Sequence, residues 1–193
     1  MRLLLLAPPG AGKGTQGALL AEHFGIRHIS SGDLLRENIT TGTDLGRQVQ
    51  AYLAAGDLVP DEVMGALLRK PAVAAAAAGG YVLDGFPRTL QQAQLAFLAG
   101  DEEGVALQAV LFLDVPDDVL VGRLLARGRG ADDSEETIRH RLAVYHHETE
   151  PLVAYYTGRG LLRRVDGNQP VEAVTAECLA ALAELVPAPQ PQG

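Results

Sequence analysis

Short, continuous apolar runs alternate along the chain with longer stretches of helical spacing. Runs at residues 2–7, 81–83, 109–115 and 161–165 predict buried strands, because a strand covered on both faces is apolar at successive positions. Residues 28–29 predict a further short strand. Helical spacing predicts helices over residues 11–24, 33–40, 44–55, 61–69, 72–78, 89–99, 118–127, 134–156 and 171–185. Strands that alternate with helices favour an α/β fold, a parallel sheet with helices on both faces.

Composition narrows the class of protein. The chain has 193 residues, 47% of them apolar, so we expect one domain with a substantial core rather than a largely disordered chain. The 16 basic and 24 acidic residues give a net charge of −8. This balance argues against a general nucleic-acid binder, because phosphate backbones attract basic surfaces.

Three features of the sequence bear on the cellular location of the protein: its N-terminus, the length of its apolar runs and its single cysteine. The first residues imitate a signal peptide, but Pro8 and Pro9 interrupt the run and no cleavage pattern follows. The longest apolar run is far shorter than the roughly 20 residues that a membrane span needs. Cys178 cannot form an internal disulfide, and no Cys/His cluster has zinc spacing. We expect a cytoplasmic protein with no membrane partner and with Cys178 in its core.

A glycine-rich turn, APPGAGKGT at residues 7–15, follows the first predicted strand and precedes the first helix. Glycines let successive backbone N–H groups turn toward phosphate oxygens, and Lys13 adds a full charge to the partial charge of the helix N-terminus. The strict pattern G-x-x-x-x-G-K-[ST] fails twice, because Ala7 replaces its first glycine and Gly14 its serine or threonine, with Thr15 one residue later. We predict a phosphate site. The alternative is an ordinary strand-to-helix turn that is rich in glycine.

Arginine dominates the basic residues, with 14 of the 16. Its planar fork pairs with phosphate oxygens, although genomic base composition explains most positions as well. Arg123 and Arg127 are four residues apart and share one helix face, which is unfavourable unless an anion lies between them. Taken alone, each of these arginines is more simply a solvated surface residue, so only their placement argues for function.

Five segments carry motifs, in the order PPGAGKGTQ at 8–16, SGDLLR at 31–36, LDGFPRT at 83–89, DDSEETIRHRL at 132–142 and VDG at 165–167. Together they resemble the adenylate kinase family, in its short-lid bacterial form, from residue 3 to about residue 185. The resemblance implies a P-loop nucleotide-kinase fold with a five-stranded parallel sheet. It implies reversible, Mg²⁺-dependent phosphoryl transfer from ATP to AMP, giving two ADP, by a monomer. The acceptor is already an anion, so a site rich in arginine and without a catalytic histidine suits the chemistry.

The resemblance also implies roles for individual residues. The ATP site comprises Gly10, Ala11, Gly12, Lys13, Gly14, Thr15, Arg123, Arg127 and Gln169. The AMP site comprises Ser31, Arg36, Asp57, Leu58, Val59, Gly85, Phe86, Pro87, Arg88, Gln92, Arg129 and Arg141. The groups expected to stabilise the migrating phosphoryl are Lys13, Arg88, Arg123, Arg127, Arg129 and Arg141, with Arg139 as a weaker candidate. The amide of Gln92 donates and accepts at once, which suits the amino group and ring nitrogen of adenine.

Asp84 ends a predicted strand, where ligands bind in open α/β sheets. The resemblance gives it a role with Mg²⁺ through water, since Mg²⁺ dehydrates reluctantly. The alternative is a helix N-cap. Only residues 128–131 separate the preceding helix from the Asp-Asp pair, which implies a small lid without zinc. This loop, with Arg129 in it, has one residue more than short-lid relatives usually have.

The resemblance divides a single nucleotide-kinase domain into parts. The expected core covers residues 1–29, 60–126 and 134–186, with an AMP-binding segment at 30–59, a lid at 127–133 and a disordered tail at 187–193. Two alternatives remain open. A UMP/CMP kinase shares the loop and most arginines but usually has alanine in place of Ser31. A nucleotide-binding module without turnover would lack a phosphate ligand, and only Ala7 and the lid loop hint at such a loss.

Overall fold

The computed structural model describes residues 1–128 and 134–185. Its strands are β1 Arg2–Leu6, β2 Arg27–Ser30, β3 Tyr81–Asp84, β4 Ala109–Asp114 and β5 Leu162–Asp166. They form one five-stranded sheet in the order β2-β3-β1-β4-β5, and every pairing is parallel. The predicted α/β fold with a five-stranded parallel sheet is confirmed.

Helices cover both faces of this sheet. Their bounds are α1 Lys13–Phe24, α2 Ser31–Thr40, α3 Asp44–Ala55, α4 Asp61–Ala77, α5 Leu90–Glu103, α6 Asp117–Arg127, α7 Glu135–Val144, α8 Pro151–Thr157 and α9 Val171–Ala181. Within the described ranges, none of them has both the length and the apolar character that crossing a membrane requires.

The core lies on both sides of β1. Leu3 and Leu5 face one cluster, with α1, α6 and α9, and Leu4 and Leu6 face the other. Each of the four is at most 2% exposed. Side chains alternate across a strand, so only a strand with helices on both faces buries four consecutive leucines. Cys178 of α9 is 0% exposed, as predicted, and burial raises the pKa of its thiol to about 12.

The order of the strands creates a crevice. From β1 the chain passes to β2 and β3 on one side and then to β4 and β5 on the other. The loops after neighbouring strands therefore part at the carboxyl end of β1. In open α/β sheets, ligands bind at such a point.

The prediction of separate helices at 61–69 and 72–78 is wrong, because α4 continues through Pro71. A proline inside a helix costs about 3 kcal/mol. Met64, Leu68 and Ala75 lie on both sides of Pro71 and are buried in the same core cluster. Burying one leucine or methionine stabilises by about 1.5–3 kcal/mol, so this shared face outweighs the proline.

The single helix predicted over 134–156 is wrong as well. A π-helical turn, Tyr145–Thr149, separates α7 from α8, and the N–H of Glu150 donates to the carbonyl of Tyr145 at 2.9 Å. Pro151 follows at once and has no N–H to continue an α-helical ladder. Single π-helical turns are frequent at functional sites. This one brings Tyr145 and Thr149 to the cleft described below.

His146, in the π-helical turn, links two helices. Its Nε2 lies 2.9 Å from Asp117 of α6, and its Nδ1 lies 3.0 Å from Glu150. Hydrogen bonds to Glu150 and Asp117 raise the pKa of His146. A histidine whose folded-state pKa is raised stabilises the fold fully below its unfolded pKa, near 6.5, and loses that contribution as pH rises through the folded pKa.

We therefore predict that His146→Gln lowers the melting temperature at pH 5.5 and has little effect at pH 8.5. Two exposed ion pairs contribute about 0.5–1 kcal/mol together. In a domain of this size that corresponds to a shift of about 1–4 °C. The measurement is thermal unfolding across this pH range. His147→Gln is the matched control, since His147 is 84% exposed and pairs only with its neighbour Glu148 among the described ion pairs. Equal shifts in both variants would contradict the link.

Candidate functional site

The loop between β1 and α1 folds around its own lysine. Nζ of Lys13 donates to the carbonyls of Ala7 at 2.8 Å and Pro8 at 2.9 Å. Gly10 and Gly12 have φ values of 86° and 95°, which glycine adopts without strain. Gly12 caps α1 without a side chain, so the first N–H groups of the helix face the loop. Such an arrangement binds anions.

A cleft of about 670 Å³ opens beside this loop, at the carboxyl ends of β1 and β3. Drug-sized ligands occupy sites of roughly 300–1,000 Å³. The basic side chains that line the cleft are Lys13, Arg36, Arg88, Arg123, Arg127 and Arg141. A protein of net charge −8 thus concentrates positive charge at one place.

Lys13 shows the effect of that concentration. Burial lowers its pKa to about 8, against the charge of Asp84, which raises it. The other groups that lower it are the guanidinium groups of Arg88, Arg141 and Arg127. A bound anion would raise the pKa of Lys13 again, because an opposite charge favours the protonated ammonium.

Asp84 ends β3 and is 7% exposed. Its Oδ2 lies 3.9 Å from Nε2 of His28, on the neighbouring strand β2. The alternative of a helix N-cap is excluded, because Thr89 caps α5 by accepting from the N–H of Gln92 at 3.1 Å. Asp84 is therefore held at the cleft for another reason than capping.

Arg88 is fixed from several sides. Its Nε donates to the carbonyl of Gly85 at 2.8 Å, and its own carbonyl accepts from Oγ1 of Thr149 at 2.8 Å. Burial lowers its pKa, Asp84 opposes this, and Arg36 adds to it. The two arginines are thus close enough to interact, and both face the cleft.

Three further arginines come from α6 and α7. Nη1 of Arg123 donates to the carbonyl of Gly167 at 3.2 Å, which joins α6 to the loop after β5. Arg127 is one turn further along α6. Arg141 of α7 passes against Gly56, where a Cβ would lie 2.7 Å from its Cγ. Arginines from two neighbouring helices therefore line one cleft.

The sequence matches a known family model, described as adenylate kinase, over residues 5–161. The chain belongs to the adenylate kinase family. It is 51% identical to an adenylate kinase of Corynebacterium urealyticum over 94% of this chain and 99% of that protein. It is 50% identical to one of Mycobacteroides abscessus, again over 94% and 99%. For one of Thermobifida fusca the identity is 46%, over 94% of this chain and 98% of that protein.

Next to the cleft, this adenylate kinase family member has a smaller pocket that combines apolar side chains with arginines shared with the cleft. Leu35, Leu53, Val59 and Met64 line it, together with the buried side chain of Gln92. Leu58 and Asp57 border both this pocket and a groove beside α7. The carboxylate of Asp57 lies 2.7 Å from Nε2 of His140, so its side chain bridges to α7.

Most residues assigned by the resemblance border one of these two cavities, and some do not. Ala11 is 3% exposed and packs in the core. Ser31 is 0% exposed, and its Oγ lies 2.4 Å from where a Cβ on Gly85 would stand, with no hydrogen-bond partner in the part of the chain that the structure describes. Phe86 is half-buried behind the cleft lining. The amide of Gln169 donates to Asp166 and Glu177. Arg139 pairs with Glu135, whereas Arg129 lies outside the described residues, as do Asp132, Asp133 and the tail at 187–193.

Sequence reasoning missed several residues that border or support the site. His28 lines the cleft, and its Nε2 is buried with no hydrogen-bond partner among the described residues. Tyr145 and Thr149 line the cleft as well, from the π-helical turn. Asp61, at the start of α4, contacts Gln92. The motifs single out none of these four residues, and Pro60 before Asp61 signals only the start of a helix.

Among residues 1–128 and 134–185, no group of three or more His, Cys, Asp and Glu side chains is arranged to hold a metal ion. A metal at this cleft would therefore need oxygen atoms from a ligand as well as from the protein. Asp84 and the hydroxyl of Thr15, which both line the cleft, are suitable donors.

The glycines of the loop make a matched pair for mutation. We predict that Gly10→Ala destabilises the protein by about 2–4 kcal/mol and Gly12→Ala by about 1–2 kcal/mol. Both positions have positive φ, so both variants are strained. Only at Gly10 does a Cβ also meet α6, at 2.9 Å from Cγ of Leu124 and 3.2 Å from the carbonyl of Leu120, whereas nothing lies within 4 Å at Gly12.

Chemical denaturation of the two variants measures the difference. A larger loss for Gly12→Ala than for Gly10→Ala would show that the loop does not pack on α6 as described.

Proposed function

We propose that the protein is an adenylate kinase, which transfers the terminal phosphoryl group of ATP reversibly to AMP and yields two ADP. Family membership over 94% of the chain carries the proposal, since several curated relatives of 46–51% identity are named adenylate kinase. The cleft supports it, because six basic side chains and a glycine-rich loop suit two phosphate-bearing substrates.

In this proposal the ATP phosphates occupy the loop at residues 10–15. The N–H groups at the start of α1 donate to them, and Lys13 exchanges its two carbonyl partners for phosphate oxygens. Arg123 and Arg127 share one face of α6 and flank the same phosphates. The backbone of Gln169 contacts the base of ATP, since its side-chain amide is bound to Asp166 and Glu177.

AMP occupies the opposite side of the cleft. Arg36, Arg88 and Arg141 bind its phosphate, and residues 57–59 with Gln92 enclose its base in the smaller pocket. The backbone of residues 85–87 surrounds that phosphate, and the buried Ser31 packs against Gly85. Arg129, from the lid at 127–133, completes the set.

The reaction needs no covalent intermediate on the protein. An oxygen of the AMP phosphate forms a bond to the γ-phosphorus, and the bond from that phosphorus to the bridging oxygen of ADP breaks. The acceptor is anionic, so no strong base is needed, and the basic side chains offset the charge on the transferred group. The chain's task is to bring two anions into line and keep water away.

Magnesium fits the proposal. Asp84 is a buried carboxylate in the cleft, and Thr15 also lines it, so these two residues would hold the ion together with phosphate oxygens, partly through water. When bound with ATP, Mg²⁺ neutralises charge and orients the phosphates. We also propose a monomer in the cytoplasm, with the core at residues 1–29, 60–126 and 134–186, the AMP-binding segment at 30–59 and a lid that holds no zinc.

The experiment that tests the function measures ADP formation from ATP·Mg with AMP, CMP, UMP and GMP at equal concentrations. We expect a strong preference for AMP. Preference for CMP or UMP would overturn the acceptor and leave a UMP/CMP kinase. No turnover with any of them, despite tight binding of ATP, would instead indicate a nucleotide-binding module.

The pKa of Lys13 predicts how ATP binding responds to pH. With a pKa of about 8 in the free protein, Lys13 is largely neutral at pH 9, and binding an anion must restore its proton. We expect uptake of close to one proton per ATP at pH 9 and almost none at pH 7. The dissociation constant should rise by up to about tenfold per pH unit above 8.

Calorimetry of ATP binding in buffers of different ionisation enthalpy measures the uptake. The phosphates of ATP do not interfere, since their last pKa is near 6 to 7. Lys13→Met should show no uptake at either pH and almost no turnover. Full uptake at pH 9 in that variant, or near-normal kcat, would contradict the assignment of the loop.

Arg88→Ala tests the acceptor side. We expect KM for AMP to rise and kcat to fall, with kcat/KM for AMP lower by about 10²–10³-fold, as when one preorganised donor is removed from a charged transition state. KM for ATP should change little. Arg69→Ala removes the same charge at an exposed ion pair of α4 and is the control. A change confined to KM for ATP would show that the two sites are exchanged.

A further inference from the structure

The side chain of Gln92 is held at both ends. Its Oε1 accepts from the backbone N–H of Arg88 at 2.7 Å, and its Nε2 donates to Oδ1 of Asp61 at 2.6 Å. The residue is 3% exposed and stands in the first turn of α5, where its own N–H is bound by Thr89. Asp61 is the first residue of α4, so two separate helices meet at this amide.

The two partners permit one orientation of the amide. A backbone N–H can only donate, and an ionised carboxylate can only accept. Turning the amide over would place its oxygen against the carboxylate of Asp61 and its NH₂ group against the N–H of Arg88. That change loses two buried hydrogen bonds, one of them to a charged group. It also leaves acceptor facing acceptor at Asp61 and donor facing donor at Arg88.

Each end of the amide keeps one bonding position. The oxygen has a second lone pair and the nitrogen a second hydrogen. Gln92 lines the smaller pocket, whose apolar side chains include Leu35, Leu53, Val59 and Met64. Arginines line the same pocket, so it offers apolar contacts for a base beside charges for a phosphate. Gln92 is the side-chain amide in this lining, so it can specify the edge of a bound base.

We propose that Asp61 is a positioning residue, which locks the donor and acceptor of Gln92 in the order that a 6-amino purine requires. Adenine presents an acceptor at N1 beside a donor at its 6-amino group, and these complement the free N–H and the free lone pair. A 6-oxo purine presents a donor at N1 beside an acceptor at O6, which demands the opposite orientation. The inference rests on the proposed function, because it takes the pocket to hold the base of the acceptor nucleotide.

The lock separates two kinds of discrimination. A 6-oxo purine has the size of adenine, so the pocket walls do not exclude it and only the orientation of the amide opposes it. Cytosine presents the same acceptor and amino donor as adenine but is smaller. Loss of the lock should therefore weaken selection against inosine monophosphate and leave selection against CMP unchanged.

The test compares kcat/KM for AMP, inosine monophosphate and CMP, at saturating ATP·Mg, in the intact protein and in Asp61→Asn. Asparagine has the size of aspartate but can donate as well as accept, so residue 61 no longer opposes the turned orientation of Gln92, and only the N–H of Arg88 still does. We expect the ratio of AMP to inosine monophosphate to fall by about 5- to 50-fold, mainly through KM, as one hydrogen-bonded base edge is worth. The ratio of AMP to CMP should stay within about twofold.

Two further variants separate positioning from stability. Glu62→Gln removes an exposed carboxylate next to Asp61 in the first turn of α4, and with it a similar interaction with the helix dipole. It should leave both ratios unchanged. Asp61→Glu retains a carboxylate and should recover part of the selection that Asp61→Asn loses.

The outcomes distinguish the inference from the function on which it rests. An unchanged ratio of AMP to inosine monophosphate in Asp61→Asn overturns the inference, and so does an equal fall in Glu62→Gln. If Asp61→Asn does not fold, the ratio of AMP to inosine monophosphate in Asp61→Glu is compared with that in any other Asp61 variant that folds. A ratio in Asp61→Glu that is no higher than in that variant overturns the inference. Failure of the intact protein to use AMP would overturn the proposed function itself.

Discussion

Mutual repulsion among positive charges that face one cleft is the constraint on which the site depends. Burial lowers the pKa of Lys13 to about 8, and the guanidinium groups of Arg88, Arg141 and Arg127 lie close enough to contribute. Such an arrangement is unfavourable without an anion and becomes favourable with one. Holding these cations together therefore costs folding free energy, and the charge of Asp84 offsets part of it.

The sheet supplies the stiffness that this repulsion requires. Four buried leucines of β1 pack on both faces, and the loop that follows cannot move without disturbing them. Gly10 fixes the loop against α6, which also carries Arg123 and Arg127. Thr149 of the π-helical turn holds the carbonyl of Arg88 from the opposite side. Several elements thus tie these cations to the core.

Sequence patterns predicted the parts of the structure that local chemistry determines. The run of four leucines indicated a doubly covered strand, and the glycines before Lys13 indicated the turn between β1 and α1. Sequence patterns failed where packing between residues far apart in the chain determines the course of a helix. Pro71 stays inside α4 because its neighbours on both sides are buried together, and the helix after Ser134 widens at Tyr145 ahead of Pro151. The contact between Asp61 and Gln92 spans 31 residues, and no local pattern announces it.

The core position of Cys178 has a practical consequence. It is the chain's single cysteine, it is 0% exposed, and its thiol is nearly all protonated below pH 11. Alkylating reagents need the thiolate, so they modify this residue only when the fold opens around α9. The rate at which the unaltered protein is alkylated therefore measures how often the fold opens around α9. Conversely, a cysteine introduced at exposed Gln50 or Glu136 carries a dye selectively, and a chain without tryptophan adds no competing indole emission.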